Sequence, residues 1–315
     1  MKKTFAALFI FFIGYPLLGQ DTGSGMDFLN IGPSPRLLSI SEAGTATLTG
    51  PSAIYTNPAL LVFEEKSSVD LSYTLWISNV NNQFAAANFK RDRSAIGVAV
   101  YSSVADNFEA RNQPGPSAGS FSINYLSLAG SYAYKLGPVS VGLTAQYLRE
   151  EVFQFMANGY AFNAGIASEI FDGRIRLGVS ATNLGNMESL DVLSTPLPSA
   201  FNAGITAGII EINTPGLNDF PALISAHLSF SHPLEDFSTT DFTDVEGDEG
   251  FINTAISIEA AEMFSIQAGY RFGPTERPLS FGLGLIIDPI RVNYALLPFS
   301  TGFGVVHSFG LQYYF

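Results

Sequence analysis

Few residues in this chain could carry chemistry. Its three histidines are His227, His232 and His307, and His227 stands between Ser225 and Ser229. A Ser/His couple needs a third group to orient the base and an oxyanion element beside the nucleophile. Side chains two apart on a strand merely neighbour one another, and neither further element is visible. The sequence therefore predicts a non-enzymatic chain in which His227 is hydrogen-bonded to its neighbours. For a metal, the stretch LEDFSTTDFTDVEGDEG (234–250) gathers Glu235, Asp236, Asp241, Asp244, Glu246, Asp248 and Glu249. Hard cations take clustered carboxylates, but the spacing is not that of an EF-hand loop, and a solvated loop is expected. Cysteine is absent, which excludes disulfides, thiolate metal sites, a Cys nucleophile and a cysteine-linked lipid anchor. A net charge of −13 does not suit a nucleic-acid partner. No cofactor or metal is expected.

The elements that would position these residues follow from the hydropathy pattern. Lys2 and Lys3 precede an apolar stretch from Phe5 to Leu18, followed by a polar DTGSG. That is the layout of a secretory signal peptide, assigned to 1–20; the apolar core is shorter than the about 20 residues of a spanning helix. Beyond it the chain alternates with period two. In VSVGLTAQYL (139–148), Val139, Val141, Leu143, Ala145 and Tyr147 oppose Ser140, Gly142, Thr144 and Gln146. IRLGVSATNL (175–184) and FSIQAGYRF (264–272) repeat the split. A soluble sandwich would bury the oily face against a second sheet, whereas a transmembrane barrel turns it to lipid. About fourteen such runs fit between 67 and 315, each near the about ten residues of a tilted spanning strand. Short connections (RDR at 91–93, LGP at 136–138, DGR at 172–174) alternate with longer ones (105–120, 153–159, 186–199, 234–249). This favours an outer-membrane barrel with both termini periplasmic and outer-membrane lipid around it; the connection 211–221 is an exception to the alternation.

The last strand, VVHSFGLQYYF, sets Phe309, Leu311, Tyr313 and Phe315 on one face. Such a carboxyl-terminal aromatic strand is what barrels present to their assembly machinery. By the alternation of its strand, His227 is a lumen residue. Arg176, Arg271 and Arg291 fall on predicted inward faces, where a charge needs water or a partner. Glu42 or Glu259 could supply one. Ahead of the strands, GPSAIYTNPALLVF (50–63) has no strand or helix period. Pro58 fixes a turn there and pushes Asn57 out of the helical region.

The segment FLNIGPSPRLLSISEAGTATLTGPSAIYTNPALL (28–61) resembles the amino-terminal signature of the PorV/PorQ family, relatives of the FadL fatty-acid channels. The matching features are Arg36, the Ala43–Ala46 stretch, the Ser52–Ala53 pair and the Asn57–Pro58–Ala59 turn. FLN at 28–30 and NPALL at 57–61 look closer to PorQ, and YALLPFSTGFGVVHSFGLQYYF (294–315) is similar to the family's closing hairpin. The chain departs from the pattern at Ser39 and Ser41, where relatives often carry glycine, and at Gly50 and Pro51, where an acidic pair is usual. The resemblance implies an all-β fold: a barrel of 14 antiparallel strands (64–315) whose amino-terminal segment (21–63) folds into the lumen as a hatch marked by Arg36, Glu42, Ser52, Asn57, Pro58 and Ala59. It further implies a component of type IX secretion or a related export and surface-attachment pathway, with secretion-system subunits or exported cargo as partners. The alternative is a FadL-like passive transporter with a hydrophobic ligand in the lumen.

Overall fold

The computed structural model describes residues 26–110, 119–190, 196–212, 221–234, 250–261 and 263–315. The predicted signal peptide, the acidic cluster at 235–249 and most of the 211–221 connection lie outside these residues. Fourteen strands close into one antiparallel barrel. They are β1 (Ser68–Leu75), β2 (Val80–Arg91), β3 (Ser94–Ala110), β4 (Gly119–Leu136), β5 (Val139–Val152), β6 (Phe155–Ile170), β7 (Ile175–Met187), β8 (Ala200–Ile212), β9 (Ala222–Pro233), β10 (Phe251–Ala260), β11 (Phe264–Phe272), β12 (Leu279–Ile287), β13 (Ile290–Pro298) and β14 (Val305–Tyr314). Each pairs with its sequence neighbour, and β1 pairs with β14 to close the ring.

The alternation sets the two faces. Along β5, Val141, Leu143 and Tyr147 are exposed on the outer surface while Ser140, Thr144 and Gln146 are buried inside. The same division runs around the ring, from Leu71 and Tyr73 to Phe309, Leu311, Tyr313 and Phe315, all exposed and all outward. A closed sheet with an apolar exterior satisfies every ladder hydrogen bond internally, which a bilayer core demands. Inside, small hydroxyl and amide side chains bond across strands: Ser131 to Thr144 and Thr74 to Ser308, both at 2.6 Å, and Gln146 to Asn163 at 3.0 Å.

The carboxyl terminus and the connections after β2, β4, β6, β8, β10 and β12 share one rim, the turn rim; the connections after β1, β3, β5, β7, β9, β11 and β13 share the other, the loop rim. The wall is not of even height. Strands β3 and β4 have 17 and 18 residues, against 9 in each of β11, β12 and β13. Val80, where β2 begins, lies opposite Ala105, so β3 runs on past its neighbour at the loop rim. With β4 and the β5–β6 hairpin it forms a projecting flap. This corrects two expected loops. The 105–120 loop loses both ends to strand, and 153–159 is not a loop: Val152 pairs with Phe155 across a turn at Phe153 and Gln154. Asn158 and Gly159 look like turn residues in sequence, but the Tyr147 hydroxyl bonds the Asn158 side chain across the hairpin at 2.7 Å, and the ladder continues through both.

The amino-terminal segment lies within the ring. Helix α1 (Pro35–Leu38) begins on a proline whose fixed φ suits a first helical position. Helix α2 (Ala53–Thr56) leads to Asn57, which is extended (φ −149°, ψ 98°) and caps a 3-10 turn over Pro58–Phe63. Its side-chain Oδ1 accepts from the Ala59 amide at 3.1 Å, the expected behaviour of an Asn cap before proline.

Candidate functional site

The hatch is bonded to or packed against every strand. Its polar contacts run in order around the wall. Arg36 donates to Gln312 Oε1 of β14 at 3.0 Å, and Ser52 is bonded to Asp70 of β1 at 3.0 Å and to Ser34 at 2.8 Å. Asn88 of β2 donates to Leu61 O at 3.1 Å, Tyr101 of β3 donates to Ile31 O at 3.1 Å, and Tyr55 donates to Ser127 Oγ of β4 at 3.0 Å. On β5, Ser140 donates to Ala59 O at 2.9 Å; on β6, Asn57 Nδ2 donates to Ile166 O at 3.3 Å; on β7, Ser180 donates to Thr56 O at 2.7 Å. Thr47 meets Thr206 of β8 at 2.6 Å and His227 of β9 at 3.2 Å. Glu42 meets Arg271 of β11, and Ser41 N donates to Ser280 Oγ of β12 at 2.9 Å. The two remaining strands touch through apolar side chains: Ala255 of β10 packs with Leu37 and Ile40, and Ala295 and Leu297 of β13 pack with Leu38.

Small inward residues make this possible. A Cβ at Gly142 would lie 2.3 Å from the Pro58 carbonyl carbon, and one at Gly165 would lie 1.9 Å from Asn57 Oδ1. The Asn-Pro-Ala turn therefore presses directly on the wall at β5 and β6. Asn57 also donates to Thr45 O at 2.9 Å, so one buried amide ties two parts of the hatch to each other and to the barrel.

Each predicted lumen charge has found a partner. Glu42 is the hub of one cluster: Oε1 accepts from the Gly32 amide at 2.8 Å and from Arg277 at 3.0 Å, while Oε2 accepts from Arg277 at 3.2 Å and from Arg271. Burial alone would raise its carboxyl, but Arg271, Arg277 and the Gly32 amide pull it down from 4.5 to about 2. Arg277 also stacks over Trp76, 5.1 Å from the ring centre. Arg176 pairs with Glu169 at 2.5 Å and donates to Thr47 O at 3.3 Å. Arg291 holds Glu259 at 3.4 Å and Asn293 at 3.1 Å. Burial opposes the Arg36 charge, yet Tyr314, Glu64, Asp70 and Glu259 leave it raised above its ordinary value. His227 is bonded not to Ser225 or Ser229 but to Thr206 at 3.1 Å, Ser257 at 2.8 Å and Thr47: inward side chains meet across neighbouring strands, not along one. The sequence reading missed Arg277, whose partner Glu42 lies 235 residues earlier, and also Glu169 and Asp70, whose partners Arg176 and Ser52 are nearer in sequence but meet them only across a strand pair or from the hatch.

It also missed an aromatic layer toward the loop rim. Phe28 of the hatch stacks on Tyr125 with ring centres 5.5 Å apart and lies 5.1 Å from Tyr101; Tyr55 lies 5.6 Å from Tyr101 and 6.1 Å from Phe84. Met26, Leu148 and Met187 belong to the same cluster. Above it the inner face of the flap continues in kind. Phe108 pairs with Phe121, Ile123 with Val152, and Val152 with Phe155, on the face that carries Tyr125 below. Phe108 and Phe155 are each 41% exposed and Phe153 at the hairpin tip is 64% exposed. A largely apolar, aromatic face thus rises from the hatch to the mouth, with Ser103 and the buried carboxylate Glu150 beside Tyr125 in one row.

No family model matches the chain, and no curated protein matches it in sequence. Solved structures do share its shape. The CymD monoaromatic hydrocarbon channel aligns with a TM-score of 0.58 at 13% identity, over 90% of this chain and 98% of that one. The P. putida toluene transporter TodX aligns at 0.52 and 12%, over 87% and 95%, and its deltaS2S3 mutant at 0.57 and 11%, over 90% and 98%. What is shared at such identities is the fold, and the chain is accordingly an integral β-barrel of the outer-membrane kind, with its interior occupied by its own amino-terminal segment.

Proposed function

We propose that the protein is a passive conduit for hydrophobic small molecules across the outer membrane, with the hatch as its gate and both termini periplasmic. The observation that carries this reading is the run of inward apolar side chains from Phe108, Phe121 and Phe155 at the mouth to Phe28, Tyr101 and Tyr125 inside, crossed only in the Tyr125 row by Ser103 and the buried carboxylate Glu150. Phe rings left in water above a membrane are costly, at about 25 cal/mol per Å² of apolar surface, and a solute that covers them recovers that energy. From the mouth, such a solute would meet Phe28 and Met26, which belong to the hatch and must yield before it can pass. The structural neighbours are by name a hydrocarbon channel and a toluene transporter, which supports the same reading.

A second reading, a type IX secretion or surface-attachment component, is favoured by the Arg36, Ser52–Ala53 and Asn57–Pro58–Ala59 signature and by the tight packing of the hatch over the polar half of the lumen. One experiment separates the two: deletion of the gene, followed by parallel measurement of secreted proteins and of monoaromatic or fatty-acid uptake. The conduit reading expects reduced uptake with normal secretion. Reduced secretion with normal uptake selects the second reading and overturns the first. Within the first, Phe121→Asp with Phe155→Asp is expected to lower uptake about tenfold in reconstituted vesicles, because two charges replace the rings that receive the solute; two buried rings at 1.5–3 kcal/mol each are ample for that loss.

Barrel assembly is proposed to use the terminal aromatic face. At a membrane interface a charged side chain on the lipid face costs only about 0–1 kcal/mol. Phe315→Asp is therefore expected to leave the folded barrel stable while cutting the amount assembled in outer membranes several-fold. The heat-modifiable band in membrane extracts reads this out, and an unchanged band would refute recognition through Phe315.

A further inference from the structure

We infer that the turn rim between β2 and β4 holds a binding site for the phosphate headgroup of an anionic phospholipid. Arg91, Asp92, Arg93, Ser94 and Tyr134 line an open cavity of about 490 Å³ there. The register explains the arrangement. Arg91 lies opposite Ser94, and Ser94 lies opposite Tyr134, so the three form one row across the outer surface. The next outward row toward the bilayer is Phe89, Ile96 and Tyr132, all exposed. Cationic and hydroxyl groups thus sit at the foot of an apolar face, the order in which a phospholipid presents its phosphate and its acyl chains.

Charge pairing singles out these two arginines. Other cations of this rim are spoken for: the exposed Lys66 by Asp288 at 3.1 Å and Arg174 by Glu211 at 3.4 Å, and the half-buried Lys135 by Glu169 at 3.5 Å. Among the described residues neither Arg91 nor Arg93 makes an ion pair. The turn's own carboxylate, Asp92, lines the same cavity, and the Lys90 ammonium reaches back to the Asp92 carbonyl at 2.5 Å. Two guanidiniums against one carboxylate leave a net positive site, and guanidinium forks match phosphate oxygens in pairs. A free phosphate would meet the same groups but gain nothing from Phe89, Ile96 and Tyr132. The site is therefore assigned to a lipid.

The test is lipid titration of the delipidated full-length barrel by native mass spectrometry, with phosphatidylglycerol, phosphatidylcholine and inorganic phosphate as probes. Phosphatidylglycerol is expected to bind most tightly, with one lipid retained per barrel. Arg91→Gln with Arg93→Gln is expected to weaken it about thirtyfold, at roughly 1 kcal/mol for each cation. Arg174→Gln, at a cation already paired, serves as the control and is expected to change little. Equal affinity in the double variant, equal affinity for phosphatidylcholine, or full displacement by millimolar phosphate overturns the assignment. Heat-modifiable mobility reports whether the double variant folds. If it does not, the salt dependence of wild-type binding decides, since affinity unchanged between 50 and 500 mM salt would also refute a charge-based site.

Discussion

Glu42→Ala is expected to destabilise the barrel by about 3–5 kcal/mol, the loss typical of a buried ion pair broken on one side. The carboxylate is 10% exposed, and the two guanidiniums it serves are 11% and 12% exposed, so its removal strands two charges with little access to water. The Gly32 amide loses its acceptor as well. Arg271 belongs to the wall, Arg277 to the connection before β12, and Glu42 to the hatch, so the variant frees the hatch where it faces the loop rim. The pair also has a pH signature. Because the folded carboxyl sits at about 2 and its ordinary value is 4.5, the stabilisation is complete above pH 4.5 and is lost as pH falls toward 2. That difference corresponds to about 3 kcal/mol. Urea or thermal midpoints measured from pH 7 to 2 should show the wild type converging on Glu42→Ala in the acid range. A constant gap between the two would exclude the pairing as its source.

The second large effect is expected at Gly142. A side chain there would meet the Pro58 carbonyl carbon at 2.3 Å and the Ala59 amide nitrogen at 2.4 Å. Both are backbone atoms of a turn held by the Asn57 cap and by the Ser140 bond to Ala59 O, so they cannot step aside. Overpacking an ordinary core costs about 1–3 kcal/mol; here the strain falls entirely on the contact between hatch and wall. Gly142→Val is expected to displace the hatch and turn a closed barrel into a conducting one, seen as discrete current steps in planar bilayers that the wild type lacks. Gly130→Ala is the control, since nothing lies within 4 Å of the added carbon. Silent bilayers with folded Gly142→Val would mean that the lumen stays blocked without this contact.

Much of the barrel is written locally. A period of two survives in a single strand, so VSVGLTAQYL and FSIQAGYRF can be assigned to faces without knowing their neighbours. Asn57 and Pro58 likewise carry their turn with them. The aromatic layer is different. In β3, Ile96, Val98 and Val100 face out while Ala95, Ala99 and Tyr101 face in, and both sets are apolar, so alternation alone does not reveal that the lumen changes character near the loop rim. Arg277 sits in a connection with no period, and its partner is 235 residues earlier. The flap was hidden for the same reason: where Asn158 and Gly159 interrupt the pattern, only cross-strand pairing shows that the ladder continues.

The seam where the ring closes has a consequence for how the molecule holds together. Gln312 of β14 donates to Glu64 Oε1 at 2.8 Å and to Ser68 at 3.2 Å while accepting from Arg36, and Asp70 of β1 holds Ser52. The first and last strands are thus stapled together through a segment made before either of them. With partners on every wall strand, that segment gains its full set of bonds only when all fourteen strands are in place. Closing the ring and seating the hatch are therefore coupled in energy: each supplies bonds that the other needs, and loosening either one at the β1–β14 seam loosens both.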